Sequence, residues 1–207
     1  MARLWIKICG LRTADAVEAA AAAGANAVGF VFHEASPRNL ALDAARELQR
    51  AVPRGIDRVA VFLHPSQALV DAVLESVAPD WLQADADDLA TLRLPAAQRL
   101  LPVLRSGRRM PEALPARCLF ESARSGMGER ADWTAAARLA RATQLVLAGG
   151  LHPANVAKAV RDVRPFGVDV SSGVERERGV KDAALIGEFI RAARAAEHAL
   201  PVEEIRR

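Results

Sequence analysis

The sequence contains no tyrosine, and aromatic residues make up only 4% of its 207 positions. A base-stacking platform for nucleic acid needs several exposed rings, so this poverty argues against one. Lysine is almost absent as well. Lys7, Lys158 and Lys181 are the whole set, and the net charge of +3 rests on arginines scattered among Asp and Glu. The only adjacent basic pairs are Arg108-Arg109 and Arg206-Arg207, which fits a solvated mixed-charge surface and no nucleic-acid face. Cysteine occurs twice, as Cys9 and Cys118, neither in a CxxC or Cys/His setting. A structural metal site therefore has no support, and two free thiols are expected. No apolar run approaches the roughly eighteen residues of a membrane span. The opening residues pass directly into a strand-like segment, with no room for a signal peptide, so a cytoplasmic protein is expected.

What the chain does have is rhythm. Short apolar runs rich in Val, Ile, Leu and Phe fall at 4–9, 26–32, 57–63, 80–83, 99–104, 117–121, 144–148 and 166–170. They are continuous, as parallel strands covered on their outer face and packed inside are. Between them lie stretches with helix punctuation. Residues 13–23 open with Thr13 and end at Gly24, 42–51 stop before Pro53, and 66–77 open with Ser66 and stop before Pro79. Residues 132–142, 153–163 and 182–199 are bounded likewise, the second with proline near its first turn. The helices expected within 84–95 and 106–115 are short and interrupted by proline. Eight strands, each followed by a helix or connector, predict an α/β fold, a single (β/α)8 TIM barrel of eight parallel strands. Rhythm alone leaves an open doubly wound sheet as the alternative, but Cys9-Gly10-Leu11-Arg12 is not the GxGxxG that such a sheet usually carries after its first strand. The barrel is expected over 1–198, with 199–207 a mobile tail.

Chemistry in such a barrel sits at the C-terminal ends of the strands. Strand one ends Lys7-Ile8-Cys9-Gly10, and alternation turns Ile6 and Ile8 toward the helices and Lys7 and Cys9 toward the interior. A lone cysteine is more often a small core residue. Cys9 stands as a candidate because a thiol at a strand end, beside a buried cation, has chemistry open to it. Strand six ends Cys118-Leu119-Phe120-Glu121, which points Glu121 inward with Leu119. An unpaired carboxylate is costly to desolvate and is rarely placed there for folding. Cys118 lies on the outer face and reads as packing. Strands seven and eight run into Gly149-Gly150 and Ser171-Ser172-Gly173. Small-residue turns after the last two strands match the barrel phosphate site, where backbone N–H groups receive an anion. The alternative is that these glycines only make tight turns.

With these residues in hand, the chain resembles the phosphoribosylanthranilate isomerases over roughly residues 4–196. The likeness is carried by Lys-Ile-Cys-Gly (7–10), Ala-Val-Gly-Phe-Val-Phe (27–32), Ser-Pro-Arg (36–38), Gly-Gly-Leu-His-Pro-Ala-Asn-Val (149–156), Val-Asp-Val-Ser-Ser-Gly-Val-Glu (168–175) and Gly-Val-Lys-Asp (179–182). The resemblance implies an aldose–ketose isomerase of tryptophan biosynthesis, which carries N-(5-phosphoribosyl)anthranilate through an Amadori rearrangement. It implies Cys9 as general base at the sugar C2′ and Glu121 as general acid. Arg38 would pair with the anthranilate carboxylate, a task suited to a planar guanidinium. Lys7 and Asp169 would contact substrate, and Gly149, Gly150, Ser172 and Gly173 would hold the phosphate. It implies no cofactor and no metal. The expected partner is a small phosphosugar, with no nucleic acid and no membrane, on a monomer or a homodimer.

Three departures from the family's pattern stand out. The acid at the end of strand six is Glu121 in place of Asp. The strand-four Gln-Leu-His-Gly reads Gln83-Ala84-Asp85-Ala86, and the glycine-rich loop after strand six reads Ser125-Gly126-Met127-Gly128-Glu129 in place of an ending in Gly-Lys. They leave a second reading open, a divergent paralogue that binds an aromatic-amine phosphosugar as a sensor or with shifted specificity. At their ordinary pKa values, near 4.3 and 8.5, a Glu and a Cys are both in the wrong protonation state for these roles at neutral pH. Enclosure is expected to help Glu121 keep its proton, and Lys7 to favour the Cys9 thiolate.

Overall fold

A computed structural model describes residues 3–123 and 128–200. Eight parallel strands pair in chain order: β1 (Trp5–Cys9), β2 (Ala27–Phe32), β3 (Asp57–Phe62), β4 (Trp81–Asp85), β5 (Arg99–Arg105), β6 (Arg117–Glu121), β7 (Gln144–Leu147) and β8 (Gly167–Val170). β8 pairs back onto β1, with Lys7 opposite Asp169, so the sheet closes. The open-sheet alternative is thereby removed. Helices α1 (Ala14–Ala23), α2 (Leu42–Arg50), α3 (Gln67–Val77), α4 (Ala86–Thr91), α5 (Trp133–Leu139), α6 (Pro153–Val163) and α7 (Ala183–His198) lie between and after the strands. Past β8 come a single helical turn, Ser172–Val174, and an antiparallel hairpin, β9 (Glu175–Glu177) and β10 (Val180–Lys181).

The punctuation read from the sequence acts as expected at α1 and α3. Thr13 Oγ1 accepts from Ala16 N, Ser66 Oγ accepts from Leu69 N, and Gly24 ends α1 in the left-handed conformation. The helix expected within 84–95 is only the six residues of α4, because Ala84 and Asp85 complete β4. Among the described residues there is no helix at 106–115. Gly107 adopts positive φ there, Pro111 and Pro115 interrupt the segment, and Ser106 N and Oγ both bond the Glu121 carbonyl oxygen, at 2.9 and 3.0 Å. Most of the tail expected at 199–207, from residue 201 onward, lies outside the described residues, as do residues 124–127 of the loop after β6. Among the described residues no helix is long and apolar enough to cross a membrane.

Strand alternation sorts the apolar residues into two cores. Ile6, Ile8, Val28, Phe30, Phe120 and their neighbours pack against the helices, with Cys118 among them, fully buried as a packing residue. Trp5, Ala27, Val59, Trp81, Leu101, Val103, Leu119 and Val146 fill the lower barrel. Trp81 plugs the N-terminal end. Its Nε1 donates to Asp57 Oδ2 at 3.0 Å, and the Arg99 and Arg117 guanidinium groups lie 4.5 and 4.7 Å from its ring centroid. Above this plug the inward positions turn polar, toward the end where the site lies.

Trp81→Ala removes that plug at a distance from the polar end, and is expected to destabilise the fold by about 3–5 kcal/mol in chemical denaturation. A loss below about 1 kcal/mol would show that the lower plug does not hold the barrel.

Candidate active site

The C-terminal ends of the strands open on a cavity of about 280 Å³. Cys9, Arg38, Glu121 and Asp169 line it, and so do Gly149, Gly150 and Ser172 from the turns after β7 and β8. Two of the nine expected site residues are placed otherwise. Lys7 is fully buried beneath the cavity floor, and its Nζ donates to Asp169 Oδ1 at 2.8 Å, so it reaches the cavity only through its neighbours. Gly173 is packed behind the rim, where an added Cβ would fall 1.9 Å from the Leu151 carbonyl oxygen.

The Lys7 side chain fits because its neighbour on β2 is a glycine. A Cβ on Gly29 would stand 3.0 Å from Cys9 Sγ and 3.1 Å from Lys7 Cε. Burial would strip Lys7 of its charge, but Asp169 and Cys9 reverse that, and its pKa is raised. For Cys9 burial wins. It pushes the thiol up, against the opposing pull of Lys7 and Lys181, and Asp169 adds to the rise. Lys7 favours the Cys9 thiolate, as expected, but that pull does not set the balance. The cation's effect is present and smaller than the desolvation.

Arg38 is held by a partner that the sequence reading left without a role. Its Nε and Nη2 donate to Glu175 Oε1 and Oε2 at 2.7 and 2.8 Å, a bidentate pair. Glu175 Oε1 also accepts from Lys181 Nζ at 2.7 Å, and Oε2 from Gly179 N at 3.0 Å. Burial alone would raise the Glu175 pKa, but the bonds from Arg38 and Lys181 bring it down to about 2. Lys181 in turn donates to the Ser171 carbonyl, and Ser171 Oγ donates to the Cys9 carbonyl at 3.2 Å. Gly10 gives Arg38 its passage, since a Cβ there would lie 2.6 Å from Arg38 Cδ. The hairpin thus fastens the loop after β2 to the ends of β1 and β8.

Across the cavity, β4, β5 and β6 end in a second ion cluster. Arg105 Nε donates to Asp85 Oδ1 and Oδ2 at 3.1 and 3.0 Å, and its Nη1 donates to Glu121 Oε1 at 2.7 Å. Arg105 ends β5, one residue beyond the apolar run visible in the sequence, which is why it escaped notice. Gln83, on β4, is buried at the cavity wall, and its Oε1 has no partner among the described residues. Below the β7 turn, Asn155 Oδ1 accepts from His152 N and its Nδ2 donates to the Gly150 carbonyl, so Asn155 ties the Gly149-Gly150 turn to the start of α6.

The family model for N-(5'phosphoribosyl)anthranilate (PRA) isomerase matches residues 6–192. The N-(5'-phosphoribosyl)anthranilate isomerase of Rhodopseudomonas palustris (strain BisB5) is 42% identical, over 93% of this chain and 96% of that one. The crystal structure of TrpF from Jonesia denitrificans superposes with a TM-score of 0.78 at 33% identity, covering 94% of this chain and 98% of the other. A phosphoribosyl anthranilate isomerase solved with reduced 1-(o-carboxyphenylamino)-1-deoxyribulose 5-phosphate superposes with a TM-score of 0.76 at 28% identity, over 93% and 99% of the two chains. Through a match that spans nearly its whole length, the chain belongs to the N-(5'-phosphoribosyl)anthranilate isomerase family.

Proposed function

We propose that this cavity carries out the Amadori rearrangement of N-(5'-phosphoribosyl)anthranilate, the isomerisation step of tryptophan biosynthesis, with Glu121 as acid and Cys9 as base. The observation that carries the assignment is that β1 and β6, well apart around the barrel, each deliver one proton-transfer group to a single cavity with glycine turns at its rim. Glu121 protonates the furanose oxygen as the C1′–O bond breaks and the anilino nitrogen lone pair forms the iminium. Cys9 then takes the C2′ proton, and the C–H electrons become the C1′–C2′ double bond of an enolamine. The enolamine then tautomerises: C1′ gains a proton while the C2′ hydroxyl loses one, and the C2′ carbonyl of the ketose forms. No redox partner is required.

The thiolate that acts as base is a minor form, stabilised by Lys7 beneath it and by Lys181. Lys7 serves by fixing Asp169, which faces the cavity and orients substrate hydroxyls. Arg38, preset by Glu175, receives the anthranilate carboxylate. The turns at Gly149-Gly150 and Ser172-Gly173 receive the phosphate on backbone N–H groups.

Cys9→Ser is expected to lower turnover of freshly prepared substrate by at least about 10²-fold while binding of a reduced product analogue stays near normal. Turnover like that of the unmodified protein would remove Cys9 from the base role. Glu121→Gln keeps the size but has no proton to give, so it should abolish ring opening while leaving analogue binding. Robust activity in that variant would end the acid assignment.

The Glu175 network has its own signature. Its carboxylate holds two cations and has a folded pKa of about 2, below the unfolded value. Its stabilisation is therefore complete above about pH 4.3 and is lost as pH falls toward 2. Glu175→Gln should cost about 3 kcal/mol at neutral pH in urea unfolding, and the gap from the unmodified chain should close over that acid window. A gap that is constant with pH would show that packing, not charge, is what Glu175 supplies.

A further inference from the structure

We propose that Arg105 is the positioning residue of the acid, and that Asp85 is the anchor that keeps Arg105 in place. The inference rests on the reading of Glu121 as the acid and deepens it. Pairing between β5 and β6 puts Arg105 directly opposite Glu121, and pairing between β4 and β5 puts Asp85 opposite Val103, two residues earlier on β5. One guanidinium therefore spans two carboxylates from different strands. Its Nε edge is spent on Asp85, which leaves Nη1 for Glu121 at 2.7 Å. The three side chains are 21%, 11% and 12% exposed for Asp85, Arg105 and Glu121, so the clamp is shielded enough for its geometry to be kept.

A glutamate at a cavity rim has three rotatable side-chain bonds, and an acid must be held near the oxygen it protonates. The planar fork of Arg105 supplies that restraint, and the backbone of Glu121 is restrained separately by the two bonds from Ser106. The guanidinium has a second effect. When Glu121 delivers its proton a carboxylate appears, and Arg105 is already aligned to receive that charge. The stabilisation grows as the proton leaves, so it favours the transition state over the bound substrate. Asp85 moderates the effect. A guanidinium with no other partner would bind the Glu121 carboxylate harder and hold the acid in its spent form, and Asp85 takes up part of that charge.

The test is steady-state kinetics on Arg105→Met, Arg105→Lys, Asp85→Asn and the double variant Asp85→Asn/Arg105→Met, beside Glu121→Gln. Arg105→Met should lower kcat by about 10²-fold with KM changed less than about threefold. Arg105→Lys, which keeps charge without the fork, should recover part of that loss. Asp85→Asn should lower kcat in the parent chain and do nothing further in the Arg105→Met background, since both act through one group. Unchanged affinity for the reduced product analogue reports that each variant is folded. A rise in KM with kcat intact would make Arg105 a substrate ligand and overturn the inference. So would full activity in Arg105→Met, or independent, additive losses in the double variant. Glu121→Gln separates the two levels. If it is inert while Arg105→Met is fully active, the acid stands and only the clamp falls; if it is active, the acid reading itself falls.

Discussion

The ammonium of Lys7 lies in the barrel interior with none of its surface exposed, 2.8 Å from Asp169. An isolated charge in that position would be very costly, and even the pair gains little over apolar residues of the same volume. What it does is remove choice. Breaking it would strand one buried charge, at a cost of about 3–5 kcal/mol, so β1 and β8 must meet in the register that puts Lys7 beside Asp169. That register closes the barrel at its first and last strands, and it sets Cys9 at the rim on the residue's own face of β1. The absence of a side chain at Gly29 is part of the same constraint, because the space a Cβ would occupy is filled by Lys7 and Cys9.

A second hub extends the constraint outward. Glu175 collects Arg38 from the loop after β2, Lys181 from β10 and the Gly179 amide from the hairpin turn. Lys181 passes the restraint to Ser171, and Ser171 to the Cys9 backbone. The guanidinium assigned to the substrate carboxylate and the thiol assigned to the sugar are thus joined by a short chain of buried polar contacts. In this hub the loop after β2 and the hairpin past β8 hold each other in place through buried ion pairs.

The fold was legible in the sequence because the barrel strands fall on short, mostly apolar runs bounded by turn residues, a signal that depends only on local neighbours. Cys9 and Glu121 stood out by one rule, the reactive residue at a strand's inward C-terminal end, whereas Asp169 came only from the resemblance to the family. The same rule would have found Arg105 had β5 been carried one residue past Leu104, but a charged residue looks like the start of a loop when only hydrophobicity is read. Glu175 and Lys181 lay within recognised segments, yet their tie to Arg38 spans 137 residues of chain, which spacing cannot reveal. Asp85 and Glu121 read in the sequence as separate departures from the family's pattern. They are joined through a third residue, and only register could bring that out. The missing helix at 106–115 has a local cause, since its prolines and Gly107 oppose helix while Ser106 is spent on the Glu121 carbonyl.

The two ion clusters also divide the cavity's charge. On one side Glu175 is shared by two cations, Arg38 and Lys181, so the wall formed by the hairpin and the loop after β2 carries an excess of positive charge. On the other, Arg105 is shared by Asp85 and Glu121, and while Glu121 holds the proton it is to give, that wall sets one cation against one carboxylate. Lys7 and Asp169 cancel between them. Among these paired groups the positive excess lies on the Arg38 side. Under the function proposed above, the carboxylate end of the substrate goes to Arg38 and its sugar toward Glu121. The phosphate cannot share the Arg38 wall without crowding the carboxylate. Under the same proposal it goes to the turns after β7 and β8, where backbone N–H groups can receive an anion without a counter-charge that would compete for the carboxylate. In that proposal the positive Arg38 side and the uncharged turns act together to set which end of the substrate faces the acid before any proton moves.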